Sequence, residues 1–265
     1  MIEVIFVAYF PDYTKIGWIT NDNDNIIVTG TAHNDSIYNE GKNVTINSYE
    51  GNDVIDGGSS YVVINSGAGN DTISGWFHDH VTVNCDEGDD YVVYGYSYSV
   101  IHGNTGNDTL MSDDYSEAYG DEGNDFIYSG DHSTIYGGLG ADTINCSDVE
   151  AIVYGGEGKD FIITCNYSSN STINAGKDDD TIYGMDYYPN YNTGYGYENV
   201  YEYAEGDGND VIYFYNSDAI INITSSKISN VEEIGSDVIL HIGSGSIKLN
   251  QSFRLTMNNI VNVEM

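Results

Sequence analysis

An aspartate recurs at one fixed place in a repeating unit of this chain, and the residue two positions after it is aliphatic in every copy. Neighbouring aspartates are 17 to 20 residues apart, except for a last step of 30. A period of about 20 residues indicates a solenoid, in which each coil packs only on its neighbours. The ten aspartates are Asp35, Asp53, Asp71, Asp90, Asp108, Asp125, Asp142, Asp160, Asp180 and Asp210.

A second column of residues lies seven positions before each aspartate, without exception. Because side chains alternate between the two faces of a strand, each coil is predicted to carry two short strands whose column residues point inward. The segment between the columns is a turn of fixed length, whereas the other turn varies and is called the free turn below. The second column consists of Val28, Ile46, Ile64, Val83, Ile101, Ala118, Ile135, Val153, Ile173 and Tyr203.

The fixed turn is rich in glycine. Glycine lies two residues before the aspartate in eight of ten copies, with His33 and Asp178 as the exceptions. Glycine permits positive φ, which lets the carbonyl oxygens of such a turn converge. Calcium takes six to eight oxygen ligands at about 2.3–2.6 Å, and coils stacked about 4.8 Å apart would hold an ion between successive turns. Besides the ten aspartates, the predicted calcium-binding residues are Gly51, Gly67, Gly69, Gly88, Gly106, Gly123, Gly138, Gly140, Gly156, Gly158, Gly208, Asn52, Asn70, Asn107 and Asn124.

Residues 137–145 read GGLGADTIN and residues 155–163 read GGEGKDFII, and both resemble the nonapeptide repeat of RTX (repeat-in-toxin, hemolysin-type) calcium-binding proteins. The resemblance covers residues 28–183 and one copy near residue 210. It implies an all-β, right-handed parallel β-roll or β-helix solenoid of nine to ten coils with β-rich caps. It also implies a bacterial protein, secreted or at the cell surface, that leaves the cell unfolded by type I secretion.

The chain departs from the RTX pattern in the second half of each coil. That half lacks the glycine–aspartate turn, as in SSNSTI at residues 168–173. Calcium is therefore expected on one edge only. The nine turns from Asp35 to Asp180 leave gaps for about eight calcium ions in one row, and Asp210 is expected to belong to a cap.

The formal net charge is −35, with only seven Lys and Arg among 265 residues. Such a chain repels itself when compact, so cations are expected in the folded state, and eight divalent ions would bring the charge to −19. Nucleic acid is excluded as a partner because phosphate contacts need clustered basic residues. The longest apolar run, residues 5–10, is too short for a membrane span, and no signal peptide is recognised.

Three segments are predicted. Residues 1–27 form an N-terminal cap, residues 28–186 the calcium-binding roll, and residues 187–265 a tyrosine-rich insertion, the last repeat and a C-terminal β cap. Several of the 25 tyrosines are expected to stack on the same residue one coil away. An alternative is a surface for glycans or self-association. These tyrosines are Tyr94, Tyr96, Tyr98, Tyr115, Tyr128, Tyr136 and Tyr154.

The sequence favours a noncatalytic calcium-binding module with a structural or adhesive role. The alternatives are a self-assembling calcium-dependent filament or layer subunit and a polysaccharide-modifying β-helix enzyme. Catalysis has little support, because no nucleophile elbow, phosphate loop or metalloprotease histidine pair occurs. The local group at His78 and His80 is interpreted as solvated rather than metal-binding. Cys85, Cys146 and Cys165 are expected as thiols, with a Cys146–Cys165 disulfide as the alternative.

Overall fold

The computed structural model describes residues 17–75, 79–93, 97–146, 150–165, 170–185, 199–214, 219–224, 227–251 and 260–261. The chain divides into two compact units, Met1–Ser129 and Gly130–Met265. Each is a parallel β-solenoid, and the described residues contain no helix. The all-β parallel solenoid predicted from the period is therefore confirmed.

In the first unit, two sheets of short parallel strands face each other across the core. Their registers pair equivalent residues of successive coils, as in Ile37 opposite Ile55. One sheet has the strands β1 (Gly17–Asn21), β3 (Asp35–Asn39), β5 (Val54–Asp56), β7 (Thr72–Ser74), β9 (Tyr91–Val93), β11 (Thr109–Met111) and β13 (Phe126–Ser129). The other has β2 (Ile27–Thr29), β4 (Thr45–Asn47), β6 (Val63–Asn65), β8 (Thr82–Asn84), β10 (Val100–His102) and β12 (Glu117–Glu122).

The second unit repeats this arrangement and ends one sheet with antiparallel strands. One sheet has the order β15 (Thr143–Cys146), β17 (Phe161–Cys165), β19 (Thr181–Met185), β21 (Asn209–Phe214), β25 (Gly245–Gln251), β24 (Asp237–Ile242) and β23 (Ile228–Ile234). The other has β14 (Thr134–Leu139), β16 (Ile152–Glu157), β18 (Thr172–Lys177), β20 (Val200–Tyr203), β22 (Ile220–Ile223) and β26 (Ile260–Val261). The strands β23 to β25 pair antiparallel, as a meander.

The core is built from the repeating columns. Every residue of the second column is at most 3% exposed, and so is the aliphatic residue two positions after each aspartate. Ile64 is fully buried, whereas its neighbour Val63 faces outward and is 36% exposed. This alternation along three-residue strands confirms that the columns point inward.

Parallel stacking extends beyond the residues assigned to the roll from sequence. In the first unit β1 pairs in register with β3, so stacking includes Gly17–Asn21. In the second unit β20 and β21 stack on β18 and β19. Residues 1–16 of the predicted N-terminal cap and residues 186–198 of the tyrosine-rich insertion lie outside the described residues. The predicted boundaries after residues 27 and 186 stay predictions.

Candidate calcium-binding column

The ten aspartates are buried, with between 1% and 4% of their surface exposed. In the first unit each column carboxylate after that of Asp35 reaches back to the preceding coil, where its Oδ1 accepts a hydrogen bond from the backbone amide of the previous aspartate. The Asp53 Oδ1 accepts from the Asp35 amide at 2.7 Å, and the same distance recurs at Asp71, Asp90, Asp108 and Asp125. The aspartates therefore form a continuous hydrogen-bonded column along the fixed turn of this unit.

The second unit has the same column. The Asp160 Oδ1 accepts from the Asp142 amide at 2.9 Å, and the Asp180 Oδ1 accepts from the Asp160 amide at 2.8 Å. Asp210 also belongs to it, since its Oδ1 accepts from the Asp180 amide at 3.1 Å despite the step of 30 residues. Asp210 is thus aligned with the column, and its assignment to the C-terminal cap segment stays a prediction.

The second carboxylate oxygen is in a different situation. Oδ2 is buried without a hydrogen-bond partner at Asp53, Asp71, Asp90, Asp108, Asp160 and Asp180. Leaving a buried acceptor unpaired is costly, more so when it carries charge. Burial raises the pKa of Asp108 and Asp160 to about 6, and that of Asp180 to about 8. It also raises the pKa of Asp53 and Asp90 to about 7.

The glycines of the fixed turn adopt the positive φ that the sequence predicted. Gly123 and Gly158 have φ of 144° and 128°. A Cβ at Gly158 would also overlap the carbonyl oxygen of Gly140, the equivalent glycine of the preceding coil. Positive φ and close approach of the coils therefore both require glycine there. Asp178, an exception to the glycine pattern, also has positive φ, at 80°.

The fixed turn brings backbone carbonyls to the buried carboxylates. A Cβ at Gly103 would overlap the Asp108 Oδ2 and lie 2.7 Å from the carbonyl oxygen of Gly120, one coil further on. A Cβ at Gly155 would overlap the Asp160 Oδ2 and the Ala175 carbonyl oxygen. Among the described residues, no three His, Cys, Asp or Glu side chains converge into a metal-binding group. Carboxylate and carbonyl oxygens fit calcium, a hard cation that does not need such a cluster.

The predicted asparagine ligands lie next to the column aspartates, on the exposed side of the turn. Asn52, Asn70 and Asn107 each accept a hydrogen bond from the following coil. The Asn52 Oδ1 accepts from the Asn70 amide at 3.1 Å, and the Asn107 Oδ1 accepts from the Asn124 amide at 3.0 Å. These side chains tie successive coils along a second line.

The free turn contains a regular feature that the sequence reasoning missed. The residue three positions before each second-column residue has positive φ through nine coils of the two units, whatever its type. The only sequence signal was that asparagine, which tolerates this conformation, occurs there three times. These residues are Asn25, Asn43, Tyr61, His80, Tyr98, Tyr115, His132, Glu150 and Asn170.

Aromatic residues in that free-turn column stack between coils, as the sequence predicted for tyrosine. The His80 ring stacks on Tyr61 at 5.0 Å and on Tyr98 at 5.4 Å, and Tyr98 stacks on Tyr115 at 4.9 Å. The tyrosines remain exposed at their edges, by 59% for Tyr61 and 52% for Tyr98. We call this row of four rings the aromatic strip. His78, Tyr94 and Tyr96 lie outside the described residues.

The cysteines that the structure describes are thiols, as expected. Cys85 is buried, and Cys146 donates to the carbonyl oxygen of Ile163 at 3.5 Å. The side chain of Cys165 lies outside the described part. The Cys146–Cys165 disulfide, the alternative from sequence, involves this side chain and stays a prediction.

The sequence matches the family model described as the RTX calcium-binding nonapeptide repeat (4 copies) over residues 29–61, 47–77, 86–114, 119–145 and 167–186. No curated protein matches the chain. Among solved structures the chain is similar to the extracellular lipase LipA from Serratia marcescens, at 14% sequence identity and a TM-score of 0.39. The similarity covers 92% of this chain and 42% of the lipase chain, so this chain spans less than half the length of that protein. In the described part of the chain, no helix is long and apolar enough to cross a membrane.

Proposed function

We propose that this chain, which carries RTX calcium-binding repeats, is a noncatalytic extracellular module that folds on calcium and has a structural or adhesive role. One observation carries the proposal. The Asp108 and Asp160 carboxylates each keep one buried oxygen without a hydrogen-bond partner, beside a carbonyl oxygen of the next coil. A bound cation would supply the partner that these oxygens lack.

The charge of the chain supports the same conclusion. With a net charge of −35, the unfolded state keeps its carboxylates apart, whereas the fold stacks them in buried columns. Binding to the folded state alone stabilises it by mass action, by about 2.7 kcal/mol per site when the free ion is at a hundred times its dissociation constant. Several such sites would decide whether the chain folds.

An extracellular location follows from the calcium concentration that weak sites need. Modules with dissociation constants of about 0.1 to 1 mM fill only where calcium is millimolar, outside cells. A chain of this kind would stay unfolded during export and fold afterwards. A calcium titration that gives dissociation constants in this range would support the extracellular location.

Circular dichroism during a calcium titration tests the proposal. Metal-free protein at neutral pH is expected to be largely unfolded and to gain β-structure as calcium is added. Magnesium is the control ion, since it demands a tighter octahedral shell and keeps its waters. Equal folding without metal and with calcium would refute the proposal.

An adhesive role is supported by the aromatic strip defined above. Its ring faces are covered by one another, so a ligand would meet ring edges and hydroxyl groups. Tyrosine in such a setting favours hydrogen-bonded recognition. Screening an array of bacterial and host glycans with calcium-loaded protein tests this role, and Tyr61→Phe with Tyr98→Phe removes the hydroxyls while leaving the stack in place.

Self-assembly is the second candidate, and β23 favours it. Within the described residues β23 pairs with β24 alone and is exposed along most of its length. Val231 and Ile234 on this strand are 50% and 54% exposed. An exposed apolar edge strand is a template for pairing with another chain. Light scattering with added calcium separates the candidates, because a subunit grows in size, and Val231→Lys should stop that growth.

A further inference from the structure

The residue five positions before each column aspartate differs from coil to coil, and we call it the floor residue. It is Gly103 for Asp108, Gly137 for Asp142 and Gly155 for Asp160. It is also glycine at Gly30 for Asp35 and Gly120 for Asp125, and for the remaining aspartates it is Ser48, Ser66, Cys85, Ala175 or Glu205. The floor residue borders the Oδ2 of its own aspartate and the backbone carbonyl oxygen of the floor residue in the next coil. Its side chain therefore decides what can lie between these two oxygens.

Where the floor residue is glycine, the space between these two oxygens is not filled by a side chain. At Gly103 an added Cβ would overlap the Asp108 Oδ2 and approach the Gly120 carbonyl oxygen to 2.7 Å. At Gly155 it would overlap the Asp160 Oδ2 and the Ala175 carbonyl oxygen. Asp108 and Asp160 are at most 2% exposed, and their Oδ2 atoms have no hydrogen-bond partner, as is also true of Asp53 and Asp71. The open space beside Oδ2, and not the unpaired oxygen alone, therefore distinguishes the glycine-floored steps.

Where the floor residue is serine, its hydroxyl bonds to the carbonyl on the far side. The Ser48 Oγ donates to the carbonyl oxygen of Ser66 at 2.7 Å, and the Ser66 Oγ donates to the carbonyl oxygen of Cys85 at 2.9 Å. Both serines are fully buried.

The first step of the column is closed in another way. The Asp35 Oδ2 accepts from the Thr31 amide at 2.6 Å and from the Thr31 Oγ1 at 3.0 Å. An oxygen that already takes two hydrogen bonds has less to gain from a cation. His33 replaces the usual glycine two positions before Asp35, and neither Thr31 nor His33 has positive φ.

We infer that the calcium row is interrupted: within the two units the glycine-floored steps at Asp108, Asp142 and Asp160 take calcium, whereas the steps at Asp53 and Asp71 are filled by serine and the Asp35 step, although its floor is Gly30, is closed by Thr31. The inference rests on the proposed calcium function and deepens it. The cysteine floor before Asp90 and the alanine floor before Asp180 put a thiol and a methyl group in the same space, which removes those steps as well. The bound ions are then fewer than the eight that an unbroken row would hold.

Equilibrium dialysis of the whole chain against radioactive calcium at saturation tests this inference by counting ions. Ser48→Gly with Ser66→Gly opens two steps and should add about two ions per chain relative to the wild type. Ser48→Ala with Ser66→Ala keeps the space filled and removes only the hydroxyls, so it should add none. Gly155→Ser should remove about one ion.

The outcomes separate the inference from the function on which it rests. Wild-type protein that binds no calcium refutes the proposed function itself. Wild-type protein that binds about eight ions, or a Ser-to-Gly variant that gains none, refutes the interrupted row and leaves calcium binding in place. A gain in the Ser-to-Ala variant would show that space does not decide occupancy, and would also overturn it. If Gly155→Ser fails to fold, the Ser-to-Gly and Ser-to-Ala counts still decide.

Discussion

The Asp160 amide donates to the Oδ1 of Asp180 at 2.8 Å, one coil further along, so each buried carboxylate is held by the backbone that it stabilises. One oxygen is fixed by a permanent hydrogen bond, and the other is left for a proton or a cation. The column therefore couples folding to both pH and calcium.

The metal-free protein should become less stable as the pH rises. Burial raises the pKa of Asp108 and Asp160 to about 6 and that of Asp180 to about 8, whereas unfolded aspartate titrates near 3.9. The folded state therefore holds more protons, and its stabilisation, complete below about pH 4, is lost as pH rises to about 8. The folded fraction of metal-free protein, followed by circular dichroism from about pH 4 to about pH 8, measures this loss.

Asp180→Asn provides the control for that pH profile, because the amide cannot titrate. This variant should flatten the slope of stability against pH between about pH 5 and 8. With saturating calcium the trend should reverse, since the ion competes with protons for the same carboxylates. A metal-free protein that is more stable at neutral than at acid pH would show that the aspartates stay charged in the fold.

Replacing Asp108 by asparagine should have opposite effects with and without calcium. The amide keeps an oxygen for the Asp90 amide, removes the buried charge, and places an NH2 group beside the Gly120 carbonyl. The metal-free fold should gain stability, while the calcium-loaded protein should lose one site. Asp89→Asn, on the exposed side of the turn in the neighbouring coil, is the matched control and should change stability little with or without calcium. For the wild type and the two variants, circular dichroism gives the folded fraction without calcium and the melting temperature with calcium.

Much of this site could be predicted from the sequence because the period repeats ten times. The inward columns followed from strand alternation, and positive φ at Gly123 and Gly158 followed from residue type. Positive φ at Tyr61 and Tyr98 could not be foreseen, because tyrosine disfavours that conformation and its ring stacking only becomes visible once the coils are aligned. The bond from Oδ1 to the preceding coil depends on the direction in which the carboxylate tilts, which spacing does not specify.

Gly158→Ala should destabilise the protein strongly. Gly158 has φ of 128°, and a methyl group there would overlap the Gly140 carbonyl, so strain of about 1–3 kcal/mol from φ is increased by the overlap. Gly206→Ala is the matched control, since Gly206 has φ of 103° but no heavy atom within 4 Å of an added Cβ. Equal losses in the two variants, measured by chemical unfolding in calcium, would mean that coil approach contributes nothing beyond φ.

The aromatic strip should stabilise the first unit through stacking rather than through its hydroxyls. Tyr98 stacks on both His80 and Tyr115 and has φ of 54°. Asparagine tolerates positive φ, so Tyr98→Asn removes the ring without straining the backbone. Tyr98→Asn should cost about 0.5–1.5 kcal/mol for each stacked pair lost, whereas Tyr98→Phe should cost little. Chemical unfolding with calcium present measures both variants. If Tyr98→Phe is as damaging as Tyr98→Asn, the hydroxyl carries the stabilisation and the stack is only a consequence of coil spacing.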